Sequence, residues 1–201
     1  VLVATARALA AHGAAAPGET GPAAVERGLP NLARHVGNMK KFNVPVVVAL
    51  NRFPTDTDEE LGVIEAFCER EGVECSRVEV YQRGGEGAMD LAAKVMAAAD
   101  APREQQARSL YPLEMPLEQK IETIATEIYG ADGVDFDAVA RRKLKKFTDM
   151  GFGALPVCIA KPQSSFTDNP KALNAPTGWR LTISDANLSA GAGFVVAIAG
   201  S

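Results

Sequence analysis

The stretch VPVVVALNRFPTDT, residues 44–57, decides the fold class of this chain. Its first half is a continuous apolar run, rich in β-branched residues, in which apolar and polar positions do not alternate. Such a run is typical of a strand that is buried on both faces of a parallel sheet. Its second half is a turn that ends in three residues able to cap a helix, Thr55, Asp56 and Thr57. The stretch therefore predicts a strand, a turn at the carboxyl end of that strand and a following helix.

Similar elements extend on both sides of this stretch. Residues 1–11 favour a short strand that runs into a helical turn, and apolar residues recur at helical spacing within 32–39. A strand is predicted over 73–81, a glycine-rich turn over 83–87 and a helix over 88–99. The apolar face predicted for this last helix consists of Leu91, Ala92, Val95 and Met96. Alternation of helices and strands indicates right-handed parallel βα units.

The second half of the chain has a different pattern. Residues 100–113 are polar and contain prolines, which predicts a linker or a domain boundary. A helix is predicted from Pro116 to Gly130, and a second helix over 135–149 that buries Phe136, Val139, Leu144 and Phe147. The predicted strands are 155–160, 180–184 and 194–199. The expected fold class is thus α/β, with parallel-sheet βα units followed by a smaller α+β domain.

Composition and charge exclude several classes of protein. The 201 residues carry a formal net charge of −4, with a pI near 5.3, so the chain lacks the cationic excess that nucleic-acid binding requires. No apolar run approaches the length of a membrane span, and no signal peptide is recognisable. Three cysteines without a CxxC pair indicate small buried apolar residues in a reducing compartment, so the predicted location is the cytoplasm. The three are Cys68, Cys75 and Cys158.

The histidines and the glycine-rich segments do not form a recognisable catalytic or metal motif. His12 and His35 lack metal-ligand spacing with any cysteine, so no metal site is predicted. The sequence has no GxxxxGK[ST] loop to hold a triphosphate and no GxGxxG. The segment RGGEG, residues 83–87, either offers backbone N–H groups to an anion or, more commonly for such a pattern, simply enters a helix.

The predicted ligand site lies at the carboxyl edge of the parallel sheet, where open α/β sheets bind ligands. Asn51 follows the strand, and its amide can pair with the edge of a base. Phe53 offers a flat face for stacking, and Pro54 makes the turn rigid. If Tyr81 ends the neighbouring strand, its ring and that of Phe53 can enclose one heterocycle. The alternatives are a plain turn with Phe53 packed in the core, and a surface tyrosine at a strand end.

A long polar connection, residues 164–179, is the second candidate segment, since loops of this length are uncommon in compact domains without a role. Its tight turn can close over the edge of a ligand. That turn consists of Ala175, Pro176, Thr177 and Gly178. Trp179, which follows it, is alternatively a core residue.

Several long segments resemble the formate–tetrahydrofolate ligase family. They are NMKKFNVPVVVALNRFPTDTDEEL, VYQRGGEGA, LYPLEMPLEQKIETIATEIYGADGV, GFGALPVCIAKPQSSFTDNP, APTGW and LSAGAGFVVAI. The likeness extends in order over essentially the whole chain. It implies a P-loop NTPase-like fold and an ATP-dependent ligase of one-carbon metabolism, in which formate and ATP give formyl phosphate and N10 of tetrahydrofolate takes the formyl group. It also implies Mg²⁺, a monovalent cation and a homotetramer.

The resemblance assigns roles to particular residues. Phe53 and Tyr81 correspond to the aromatic pair that holds the pterin, or adenine in nucleotide complexes, and the turn Ala175–Gly178 lines the same pocket. The family usually has tryptophan at the position of Tyr81, which keeps a stack of smaller area, and usually leucine at the position of Arg77, whose pocket role is therefore in doubt.

The resemblance also implies a division into domains and an incomplete chain. Residues 1–29 are expected to end the nucleotide-binding domain, residues 30–101 to form the α/β domain with the stacking turn, and residues 102–201 to form an α+β domain that closes the pocket. Because no P-loop is present, we expect an internal fragment that supplies the pocket but is inactive alone, with its catalytic residues elsewhere. The alternative is a non-catalytic interaction module that kept the fold.

Overall fold

A computed structural model describes residues 1–102 and 106–200. The chain forms two compact units, Val1–Arg108 and Ser109–Ser201. The domain boundary that the sequence predicts at residue 102 adjoins residues 103–105, which lie outside the described residues. The first unit joins residues 1–29 with 30–101, and their assignment to separate domains of a longer protein stays a prediction.

A three-stranded parallel sheet organises the first unit. Its strands are β1 (Leu2–Ala4), β2 (Val47–Asn51) and β3 (Glu74–Val78), in the order β1-β2-β3. The central strand β2 pairs with both neighbours, and its first four residues are all buried. The prediction from the apolar run is therefore confirmed: a strand without alternation has helices covering both of its faces.

Helices connect and cover these strands. They are α1 (Ala6–Gly13), α2 (Pro22–Lys40), α3 (Asp58–Arg70), the single turn α4 (Val80–Arg83) and α5 (Met89–Asp100). Two glycines let α1 and α2 approach closely: a Cβ atom on Gly28 would lie 2.0 Å from Leu9 O, and one on Gly13 would lie 2.0 Å from Ala24 O. Side chains of α1, α2, α3 and the strands then form one core around Val48, Leu50 and Ile64.

Helix α5 is where the predicted apolar face is partly wrong. Leu91 and Val95 are half-buried, but Ala92 is exposed and Met96 is 65% exposed. No residue of α5 is fully buried. The helix packs on β3, the last strand in the order of the described sheet, so only a narrow stripe of its surface is covered.

The second unit combines helices with a mixed sheet. Its helices are α6 (Leu117–Ile124) and α7 (Ala138–Phe147), each followed by a π-helical turn, at Ala125–Tyr129 and Thr148–Phe152. Its strands are β4 (Val134–Phe136), β5 (Val157–Ala160), β6 (Leu181–Ser189) and β7 (Phe194–Ala199). The order is β4-β6-β7-β5, with β6 and β7 antiparallel and the other pairs parallel. The fold class is confirmed.

Two sequence predictions fail in this unit. The helix predicted over 135–149 begins only at Ala138, because Val134–Phe136 instead pairs with β6 as strand β4. Val139 consequently faces outwards and is 41% exposed, whereas Leu144 is buried as predicted. Cys158 is exposed, so it is not the buried apolar residue that was expected.

A lysine buried within this unit fixes the segment before β5. Lys120 has no exposed surface, and its Nζ donates hydrogen bonds to Gly153 O and Leu155 O, each at 2.9 Å. Desolvation by burial lowers the pKa of Lys120. Two carbonyl acceptors offset the cost of burying the amine and tie the end of the α7 segment to α6.

Candidate functional site

The turn that follows β2 begins at residues that are hydrogen-bonded to the neighbouring strand β3. Asn51 is the last residue of β2 and lies opposite Val78 in β3. Arg52 N–H donates to Val78 O at 3.0 Å, which extends the pairing one residue beyond the strand. The Arg52 guanidinium also lies 3.1 Å from the Glu79 carboxylate. Asn51 is half-buried at this edge and is the last residue of the strand, one position earlier than predicted, and its pairing with a base stays a prediction.

Asp56 closes the turn through two hydrogen bonds with the backbone of Phe53, one as donor and one as acceptor. Its N–H donates to Phe53 O at 3.0 Å, and its Oδ2 accepts from Phe53 N–H at 2.8 Å. The side chain is almost completely buried, at 9% exposure. A buried carboxylate that accepts a backbone hydrogen bond makes a strong link, so the turn itself fixes the backbone of Phe53. The sequence marked Asp56 only as a possible helix cap, and its role as the clamp of the turn was missed.

Helix α3 is capped by the residue after this clamp. Thr57 is the N-cap: its Oγ1 accepts from Glu60 N–H at 3.2 Å, while the Glu60 carboxylate accepts from Thr57 N–H at 2.9 Å. This reciprocal pair is a capping box. Of the three predicted cap candidates, Thr57 is thus the one that caps. Glu60 also accepts from Gly21 N–H at 2.9 Å, which ties the turn to the start of α2.

The ring of Phe53 has one face covered by a cation. The guanidinium carbon of Arg7 lies 4.6 Å from the ring centroid, within the range of a cation–π contact. An Arg7 Nη also reaches Thr55 Oγ1, at 3.5 Å. Phe53 is half-buried and belongs to neither hydrophobic core cluster. The alternative of a phenylalanine packed in the core is therefore wrong. Pro54, next to it, is exposed.

Tyr81 does not end the neighbouring strand, contrary to the sequence prediction. Strand β3 stops at Val78, and Tyr81 lies in the single-turn helix α4 with 97% of its surface exposed. The β-branched and aromatic residues of this segment favour a strand. The backbone hydrogen bonds of Glu79 instead stabilise a helical turn. Glu79 O accepts from the N–H groups of Gln82 and Arg83, and Glu79 N–H donates to Gly87 O at 3.0 Å.

The glycine-rich segment makes this local fold possible. Gly84–Ala88 forms a short 3₁₀ helix that folds back on Glu79. A Cβ atom on Gly87 would lie only 2.5 Å from Glu79 O, so the close approach requires glycine. At this position the segment acts as a packed entry into α5, the commoner of the two readings that the sequence left open.

Arg77, whose pocket role the sequence left in doubt, is bound to α3. Its guanidinium donates to both Glu65 oxygens, at 2.6 and 2.8 Å, and to Asp58 at 2.7 Å. The hydrogen bonds with Glu65, and then those with Asp58, raise the pKa of Arg77 above its ordinary value. Arg77 thus joins α3 to β3, and its donors are directed at these carboxylates.

The other predicted segment, Ala175–Gly178, lies in the second unit between positive-φ residues. Asn174 has φ 66° and Gly178 has φ 73°, so the chain bends at both ends of the segment, and the tight turn itself stays a prediction. Ala175 and Pro176 are half-buried, and Thr177 and Gly178 are exposed. Trp179, which follows, packs against the hydrophobic core, and its O accepts from Asp132 N–H at 2.8 Å. The closure of this turn over the ligand of Phe53 stays a prediction.

Within residues 1–102 and 106–200, no group of three or more His, Cys, Asp and Glu side chains is arranged to hold a metal ion. In the same ranges, every helix is too short or too polar to traverse a lipid bilayer.

A parallel sheet whose strands are followed by covering helices makes this chain an α/β protein, the class that binds ligands just outside the carboxyl ends of its strands. The particular family follows from comparison with known proteins. The chain belongs to the formate–tetrahydrofolate ligase family, whose model matches residues 1–201.

Two curated relatives carry the same family name. The chain is 52% identical over 204 aligned residues to a formate–tetrahydrofolate ligase of Zymomonas mobilis and 47% identical to one of Symbiobacterium thermophilum. All of this chain is aligned in both cases. It spans 37% of the length of the first relative and 36% of the second.

Proposed function

We propose that this chain is part of an ATP-dependent ligase that joins formate to tetrahydrofolate and gives 10-formyltetrahydrofolate. The observation that carries the proposal is the identity of 52% and 47%, over the whole chain, to proteins named for that reaction. In the proposed reaction, a formate oxygen attacks the γ-phosphorus of ATP, giving formyl phosphate and ADP. N10 of tetrahydrofolate then attacks the formyl carbon and releases phosphate.

Within that enzyme, the chain contributes the surface that holds a flat heterocycle. The ring of Phe53 presents one face to the pterin or to adenine, while Arg7 supports its other face. Asn51 supplies a donor and an acceptor to the edge of the heterocycle. Pro54 and the clamp made by Asp56 keep the turn in place.

Two further parts of the pocket are proposed on the family resemblance. Tyr81, whose ring is 97% exposed, gains apolar burial when a heterocycle stacks on it. The turn formed by Ala175, Pro176, Thr177 and Gly178 lines the same pocket from the second unit. The packing of the partly buried Trp179 against the core of that unit supports a defined shape for this segment.

The chain alone is proposed to lack the means to activate ATP. Its 201 residues contain no GxxxxGK[ST] segment, so the phosphate-binding lysine and the catalytic residues belong to the longer protein. Mg²⁺ and the monovalent cation are proposed for that protein too. Among the described residues, no group of three or more His, Cys, Asp and Glu side chains is arranged to hold a metal ion, so we assign neither ion to them. A homotetramer in the cytoplasm is proposed on the same resemblance.

The test separates binding from turnover. Isothermal titration of the purified chain with tetrahydrofolate, and separately with ATP, measures binding. An assay with formate, ATP and tetrahydrofolate measures formation of 10-formyltetrahydrofolate. We expect weak binding without turnover. Turnover by the chain alone would contradict the assignment of catalysis to other residues.

The alternative is a non-catalytic interaction module that kept the fold. The exposed position of Tyr81, on a helical turn rather than at a strand end, favours this alternative over a preformed aromatic clamp. A titration in which neither tetrahydrofolate nor ATP releases heat, and neither protects the chain against thermal unfolding, would support the module and contradict the pocket.

A further inference from the structure

Two cysteines meet where α3 ends and β3 begins. Cys68 lies in the last turns of α3, and Cys75 is the second residue of β3. Gly72, with φ 64°, reverses the chain between them, and Val73 N–H donates to Cys68 O at 3.0 Å. Cys75 packs against the hydrophobic cluster that contains Cys68. The two thiols are therefore neighbours, although seven positions separate them in sequence.

Their surroundings differ. Cys68 is 1% exposed, whereas Cys75 is partly accessible on the strand that ends the order of the described sheet. Lys94 of α5 donates to Cys75 O at 2.6 Å. Arg77, two residues along the same face of β3, is bound to Glu65 of α3. A partly accessible cysteine with two cations nearby resembles the setting in which cysteines become reactive, although here Lys94 contacts the backbone of Cys75 and Arg77 is paired with Glu65.

The protons of the two thiols are unequally held. A side-chain hydrogen bond with Cys68 is the main reason that the pKa of Cys75 is lowered, and the charges of Lys94 and Arg77 act in the same direction against burial and Glu65. The same hydrogen bond, followed by burial, raises the pKa of Cys68. Of the two sulfurs, Cys75 therefore loses its proton more readily, and Cys68 holds its proton more firmly.

We propose that Cys75 is an oxidation site for hydroperoxides and that Cys68 resolves it as an intramolecular disulfide. The Cys75 thiolate attacks one oxygen of the hydroperoxide, so an S–O bond forms and the O–O bond breaks. The leaving hydroxide or alkoxide takes a proton, which leaves a sulfenic acid on Cys75. The Cys68 sulfur then attacks the Cys75 sulfur, the S–O bond breaks, and its oxygen leaves as water with the Cys68 proton.

This modification is independent of the proposed ligase function. It covalently joins the end of α3 to the start of β3. A thiol reductant reverses it by exchange. The third cysteine, Cys158, lies on β5 of the other unit and is exposed, which makes it a built-in reference for simple surface oxidation.

The test is oxidation of the purified chain with hydrogen peroxide, followed by thiol counting and peptide mass spectrometry without reduction. We expect a Cys158→Ser variant to fall from two free thiols to none, with the mass of two hydrogen atoms lost. We also expect one peptide pair linked through residues 68 and 75. Dithiothreitol should restore both thiols.

Single variants distinguish the roles of the two sulfurs. In Cys68→Ser, the sulfenic acid on Cys75 should persist and be captured by dimedone. In Cys75→Ser, Cys68 should stay unmodified by dimedone. A Cys158→Ser chain that retains both thiols, or that yields only chains joined to each other, would overturn the proposal. Circular dichroism spectra that match the parent chain would show that each variant is folded.

Discussion

The guanidinium carbon of Arg7 lies 4.6 Å from the centre of the Phe53 ring, although the two residues are far apart in sequence. Arg7 stands at the start of the helix that follows β1, and Phe53 stands in the turn that follows β2. Because β1 and β2 are parallel neighbours, their carboxyl ends meet at one edge of the sheet. The contact covers one face of the Phe53 ring with the Arg7 guanidinium.

Replacement of Phe53 by alanine tests whether this ring is the stacking platform. We expect Phe53→Ala to weaken binding of tetrahydrofolate or adenine nucleotide to the chain by about 1–3 kcal/mol, the range found for bases stacked on aromatic rings. Titration calorimetry measures the change. Phe42→Ala, which removes another half-buried ring in the same unit, should leave the Kd unchanged. Equal losses in both variants would mean that the effect comes from general destabilisation.

Replacement of Arg7 tests the support behind the ring. We expect Arg7→Gln to weaken ligand binding by about 0.5–1 kcal/mol, the value of a partly exposed cation–π contact. The reason is that an unsupported ring has more freedom to lose when it stacks. Arg142→Gln makes the same change in net charge at an exposed position of the other unit. It serves as the control, and an equal effect there would attribute the loss to long-range charge.

Asp56 is expected to matter for stability as well as for the turn. Asp56→Ala removes the acceptor of Phe53 N–H, and we expect a loss of about 1–3 kcal/mol in the free energy of unfolding. Asp56→Asn keeps an oxygen for this hydrogen bond and should lose less. Urea unfolding followed by circular dichroism gives the values. If asparagine costs as much as alanine, the hydrogen bond to Phe53 is not the source of the stability.

Gly87 and Gly85 form a matched pair of glycines in the segment beside Tyr81. A Cβ atom on Gly87 would lie 2.5 Å from Glu79 O, whereas one on Gly85 would have no atom within 4 Å. We expect Gly87→Ala to cost about 1–3 kcal/mol through the backbone shift that it forces. Gly85→Ala should be neutral or slightly stabilising. Thermal unfolding of the two variants checks the difference, and similar melting temperatures would show that residues 79–87 are not held in this arrangement.

His12 predicts a dependence of stability on pH. Burial lowers the pKa of His12 below its ordinary value of 6.5. The unfolded chain therefore takes up a proton at His12 at a higher pH than the folded chain does. The contribution of this histidine to stability is complete above pH 6.5 and decreases as the pH falls from there through the lower folded pKa.

Urea unfolding at a series of pH values measures this contribution. The carboxylates with resolved shifts, Glu19, Asp90, Asp135 and Asp185, all have lowered pKa values, so their titration in the folded chain lies at more acidic pH. The His12→Asn variant should lose stability less steeply than the parent chain between about pH 6.5 and 5. An unchanged slope would show that His12 titrates alike in both states.

Local signals made some of the site predictable. The apolar run of residues 44–50 favours a buried strand, and Thr57 favours the start of a helix. The structure confirms both, as β2 and as the N-cap of α3. The position of Asn51 and Phe53 follows from that boundary. The segment around Tyr81 was not predictable in this way, because its β-branched and aromatic residues favour a strand while a close glycine contact and the hydrogen bonds of Glu79 favour a helical turn.

Sequence by itself determined the parallel α/β class, the place of the turn after β2 and the family, because these depend on patterns of neighbouring residues. Only the tertiary structure decided which partners those residues meet. Three contacts each join different elements. They are the cation–π contact of Arg7 with Phe53, the hydrogen bonds of Arg77 with Glu65, and the packing of Cys75 near Cys68. Their distances are set by how strands and helices pack, which spacing along the chain does not record.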